Sequence, residues 1–172
     1  MAIYALGERV PEIHPDAYVH PDAVIIGSVF IGEHSSIWPT CVLRGDDGEI
    51  RIGRRSSVQD GTIVHTTPFH FTTIGDNCTI GHNAHLEGCV ILDGALVGSG
   101  SVVLHEVVVG EDAIVGANAM VPNRTKIPAR SRALGVPVKI VEDVVEAGWF
   151  ALGVQSYVDR AARYRDTLRR ID

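Results

Sequence analysis

An aliphatic residue returns every six positions along most of this chain, and this constrains the fold more than any other feature of the sequence. The first run is Ile13, Val19, Ile25, Ile31, Ile37 and Leu43, with Ala17, Ala23, Val29, Ser35 and Cys41 four places after the first five. A three-residue interruption within Asp46 to Ile50 resets the phase, and the period resumes at Ile52, Val58 and Val64. An excess of four residues follows in Thr66 to Thr73, and then come Ile74, Ile80 and Leu86. One residue is missing before the last run of Ile91, Val97, Val103, Val109, Val115 and Val121. Glycine often follows the aliphatic position, as at Gly32, Gly53, Gly75, Gly81, Gly98, Gly110 and Gly116. We expect these glycines to supply turn conformations that a β-branched residue avoids.

The physical reading is an all-β solenoid with one short strand per hexad and three hexads per coil. A single coil has no core, so each leans on its neighbours. The pattern resembles the hexapeptide repeat of left-handed parallel β-helices, and the handedness comes from that resemblance. After Val121 the prolines Pro122, Pro128 and Pro137 mark an exit segment. Val144, Ala147, Ala151, Val154, Val158, Ala161 and Leu168 then follow helical spacing. This predicts an amphipathic C-terminal α-helix over roughly 142–171. The expected organisation is a β-helix with exit segment over 1–140 and the helix packed on it over 141–172.

Composition narrows the function. A net charge of −6 argues against nucleic acid or an anionic membrane as partner. No run of apolar residues is long enough to span a bilayer. The first residues lack a basic stretch followed by an apolar core, so a cytoplasmic address is expected. Three cysteines, none in a CxxC pair, fit neither a disulfide framework nor a zinc ribbon.

Stacking the hexads places candidate residues in columns. With the two insertions allowed for, Leu43, Val64 and Leu86 stack, so the outward residues Arg44, His65 and Glu87 form one column. On another side Val58 and Ile80 stack, which puts Asp60 beside His82, with Gln59 one step earlier. His65, His82 and Glu87 therefore reach a common point only if His82 comes from a neighbouring chain. A three-sided solenoid suits cyclic trimerisation, so a metal site split across a trimer interface is expected.

At Arg44-Gly45-Asp46, Gln59-Asp60, His65, Ile80-Gly81-His82 and Gly88-Cys89 the chain resembles the gamma-class carbonic anhydrase family. That resemblance implies a homotrimer with zinc, alternatively iron or cobalt, held at the subunit interfaces by three histidines. It implies His65 and His82 as ligands. The family's third histidine position is occupied here by Glu87, with His85 as the alternate. The implied activity is the reversible hydration of carbon dioxide by metal-bound hydroxide. In that scheme Gln59 orients the hydroxide or substrate, and Asp60 orients His82. Arg44 and Asp46 pair between subunits, and His70 shuttles the proton. Two other readings stand beside it. One is a metal-binding trimeric scaffold or binding protein with little or no activity, which the Glu87 substitution favours. The other is an acyltransferase of the same repeat class that uses acetyl-CoA.

Overall fold

A computed structural model describes residues 2–172. The chain winds into a left-handed parallel β-helix of about seven turns, built from twenty short strands and followed by one helix, α1 (Ala151–Thr167). Each coil has three faces. One carries the rungs of Ile25, Leu43, Val64, Leu86, Val103 and Val121, and the next those of Ile31, Ile52, Ile74, Ile91, Val109 and Ile127. The third carries Val19, Ile37, Val58, Ile80, Val97, Val115 and Ala133. These faces are called first, second and third below.

The six-residue period is the spacing of inward side chains. Ile25, Leu43, Val64, Leu86, Val103 and Val121 are all 0% exposed. The smaller residues four places on, among them Ala23, Cys41, Thr62 and Ala84, fill the corners of the same core. The strand Val24–Ile31 pairs with Val42–Ile52, and the register shifts between Gly27 and Val29, where Asp46 to Glu49 bulge out of the coil.

The glycines after the aliphatic positions serve a different purpose from the one expected. Of the seven, none has positive φ. They are needed because successive coils approach too closely for a side chain: a Cβ on Gly53 would lie 2.6 Å from the carbonyl carbon of Gly75. The left-handed turn positions are instead filled by residues such as His34, Arg55, Asn77 and Asp112.

The helix is shorter than its periodicity implies. Residues 142–150 form turns, because the amides of Val144 and Val145 both bond to the Arg130 carbonyl oxygen at 3.0 Å. On α1 the buried residues are Val154 and Ala161. The helix is seated mainly by aromatic rings. Tyr157 and Tyr164 pack edge-on against Trp38, which with Tyr18 lies outside the third face. The Trp38 Nε1–H is fixed by the Ser36 and Ser57 hydroxyls at 3.0 and 2.9 Å. No helix among the described residues is long and apolar enough to cross a membrane.

Candidate functional site

Two groups of polar residues border the first face, one at each of its edges. At the corner that leads into the face, Asp60 and His82 occupy adjacent coils. The Asp60 carboxylate lies 2.9 Å from His82 Nδ1. Both side chains are about half exposed, and His82 Nε2 has no partner among the described residues. One ring nitrogen is thus anchored on a carboxylate while the other faces solvent. Gln59, one residue earlier, is buried, so its side chain is withdrawn from that surface.

The second group stands on the face itself and at its far corner. Parallel pairing puts Arg44 beside His65 and His65 beside Glu87. His65 Nδ1 is 3.1 Å from Glu87 Oε1, and its Nε2 is 3.2 Å from Asp46 Oδ1. His85 points the same way as Glu87, two residues along one strand, and its Nε2 is 3.3 Å from Glu87 Oε2. His105, from the coil above, brings Nε2 to 3.4 Å from Glu87 Oε1 without forming a hydrogen bond. His70 in the Thr66–Phe71 loop stacks on His105, with ring centroids 5.3 Å apart. One carboxylate therefore lies among three imidazoles. Burial raises the Glu87 carboxyl most, but His105, His65 and His85 together outweigh it and hold the group below its ordinary value. Burial is also the largest single influence on Asp46, and there too it is outweighed, by the hydrogen bond and charge of Arg44 and the charge of His65. Arg44 and Asp46 form an ion pair within the chain.

The chain is similar to known transferases. The model of bacterial transferase hexapeptide repeats matches residues 71–105 and 88–123. A crystal structure of a "putative acetyltransferase" from Bacillus cereus is 34% identical, over 96% of this chain and 97% of that one, with a TM-score of 0.93. The chain belongs to the hexapeptide-repeat transferase family. A hexapeptide transferase family protein from Anaplasma phagocytophilum is 30% identical over 95% of this chain and 98% of its own, with a TM-score of 0.89. An uncharacterized transferase of Bacillus subtilis, YtoA, is 44% identical over 77 residues, which is 45% of either protein. The chain thus spans less than half the length of the curated relatives it matches.

Membership of this hexapeptide-repeat transferase family corrects the carbonic anhydrase reading, together with the zinc cofactor and the lyase activity it implied. The geometry agrees with the correction. Among the described residues no three His, Cys, Asp or Glu side chains are placed to hold a metal ion. Both ring nitrogens of His65 lie against carboxylates, Glu87 on one side and Asp46 on the other. Glu87 is engaged by histidines, and His82 is anchored on Asp60 at the other edge of the face. His105 is a residue that the sequence analysis did not single out. Its place on the coil above Glu87, two residues past Val103, was the available signal.

Proposed function

We propose that this chain is an acyltransferase that moves an acyl group from a coenzyme A thioester to a small hydroxyl or amine, acting as a homotrimer. Family membership supports the reaction class, and the Asp60–His82 pair supports the chemistry. A general base needs one nitrogen held and the other open toward the nucleophile. His82 meets both conditions, whereas His65 has both nitrogens engaged.

In the step, His82 Nε2 takes the proton of the acceptor O–H or N–H as that atom attacks the thioester carbonyl. The tetrahedral intermediate collapses, the C–S bond breaks, and the thiolate of coenzyme A receives the proton from the imidazolium. Asp60 accepts the Nδ1–H throughout, which fixes the tautomer and stabilises the imidazolium. Glu87, with His65 and His85 hydrogen-bonded to it, forms a wall of the same face. Three cysteines without disulfides suit a reducing compartment, so we place the protein in the cytoplasm.

The test follows release of coenzyme A from acetyl-CoA against a panel of small amines and alcohols. A productive acceptor whose turnover falls about 100-fold or more in His82→Ala supports the reading. Turnover unchanged in His82→Ala overturns the assignment of the base.

A further inference from the structure

The Asp60–His82 pair continues upward by one coil. Parallel pairing of Ile80 with Val58 below and Val97 above aligns Asp60, His82 and Ser99 on three successive coils. The backbone repeats one step at each level. The Asn83 amide donates to the Asp60 carbonyl oxygen at 2.8 Å, and the Gly100 amide donates to the His82 carbonyl oxygen at 2.8 Å. Each of the three residues is followed by one in the left-handed region, Gly61, Asn83 and Gly100, with φ of 73°, 57° and 69°. They therefore hold the same turn position, one above another, at the corner that leads into the first face.

The histidine is in the middle, within reach of both neighbours. Adjacent strands lie about 4.8 Å apart. His82 Nδ1 is 2.9 Å from Asp60, on the coil below. The two nitrogens lie on opposite sides of an imidazole ring, so Nε2 is left on the side away from Asp60, where Ser99 stands. Ser99 is exposed. Its hydroxyl lies over Gly81, the neighbour of His82. A Cβ on Gly81 would be 3.0 Å from Ser99 Oγ and 2.6 Å from the Ser99 amide nitrogen, so the glycine is what lets the serine stand so close. Rotation about χ1 carries a serine hydroxyl between staggered positions, and catalytic hydrogen bonds commonly tighten only when substrate is bound. Carboxylate, imidazole and hydroxyl in this order are the arrangement that activates a serine.

We propose that Ser99 is a nucleophile activated by His82, and that the column hydrolyses aryl esters of short acyl chains through an acyl-serine. This rests on the Asp60–His82 pair as base, as the proposed function does, and adds a covalent step. In the first half, His82 Nε2 takes the Ser99 Oγ proton as that oxygen attacks the ester carbonyl. The bond to the aryl oxygen breaks, and the phenol leaves with the proton from the imidazolium. In the second half, His82 takes a proton from water as the water oxygen attacks the acyl carbon. The bond to Ser99 Oγ breaks, Oγ recovers the proton, and the carboxylic acid is released. Asp60 and His82 are about half exposed, so the column grips little of a substrate. That selects a short acyl chain and a good leaving group.

The experiment follows hydrolysis of p-nitrophenyl acetate by the full chain, together with labelling by a fluorophosphonate, which an activated serine attacks with loss of fluoride. Wild type is expected to turn the ester over and to carry the label on Ser99, located by peptide mass spectrometry. Ser99→Ala and His82→Ala are each expected to lower the ester rate about 100-fold or more and to abolish the label. Ser99 is exposed, so Ser99→Ala should leave the circular dichroism spectrum unchanged. Ser99→Cys is expected to restore acylation by the ester, which a purely structural role would not explain. Ester turnover unchanged in Ser99→Ala, or a label on another residue, overturns the nucleophile. A protein that transfers from acetyl-CoA to an acceptor, but neither hydrolyses the ester nor takes the label, overturns it and leaves the transferase reading standing. Hydrolysis through Ser99 with no transfer to any acceptor does the reverse, and a protein that does neither overturns both.

Discussion

Thr66 and Thr72 flank the same loop, and both are 0% exposed, yet replacing each with valine is expected to have opposite effects. The Thr72 hydroxyl donates to the His65 carbonyl oxygen at 2.6 Å and accepts the Gly88 amide at 2.8 Å, joining two coils beside Glu87. Valine has nearly the same shape, so Thr72→Val opens no cavity but leaves two buried backbone groups without partners. Each such group costs about 1–3 kcal/mol, so a loss of about 2–6 kcal/mol is expected. The Thr66 hydroxyl has no partner to lose. Thr66→Val therefore removes an unsatisfied buried group and is expected to change stability by about 0–1 kcal/mol in the favourable direction. Urea unfolding separates the cases. With a slope of about 2 kcal/mol/M, the midpoint should fall by about 1–3 M for Thr72→Val and hold or rise for Thr66→Val. Equal losses at the two positions would refute the hydrogen-bond account and leave only a general intolerance of this loop to valine.

Other consequences concern charge and accessibility. The Glu87 carboxyl is held below its ordinary value of 4.5, so its stabilising effect is present above that pH and is lost as pH falls through the folded-state value. Glu87→Gln should then lower stability at pH 7 by about 1 kcal/mol, a modest figure because the pairs are partly solvated, and the gap to wild type should close as pH falls through the folded-state value. Melting temperature measured against pH checks this, and a gap independent of pH contradicts it. Burial pushes the thiols of Cys41, Cys78 and Cys89 up to about 12. No thiol should react with a disulfide reagent in the native protein at pH 8, and all three should react in denaturant. Fast labelling of the native protein would contradict the buried placement.

The coil was legible in the sequence because its period is the spacing of inward side chains, and a β-helix repeats one environment at every rung. The two insertions, read from phase shifts alone, fall where Asp46 to Glu49 and Thr66 to Phe71 leave the coil. The columns Arg44–His65–Glu87 and Asp60–His82 followed from the same arithmetic. The start of α1 did not, because Val144 and Ala147 keep helical spacing while the Arg130 carbonyl holds their segment in a turn. The aromatic seat of the helix was also missed, since Tyr157 and Tyr164 fall outside an aliphatic stripe. The chemistry was misread for a different reason. Residue types at three positions matched a metal set, but spacing does not reveal which ring nitrogens are already engaged. His65 stands between two carboxylates, and Asp46 reaches it only through the bulge in its strand.

The most direct test of the account is whether the purified chain binds acetyl-CoA, measured by titration calorimetry without any acceptor present. The account predicts saturable binding with one site per chain, retained in His82→Ala, since that residue acts on the acceptor's proton and not on the donor. An absence of binding at millimolar acetyl-CoA would contradict the acyltransferase reading itself.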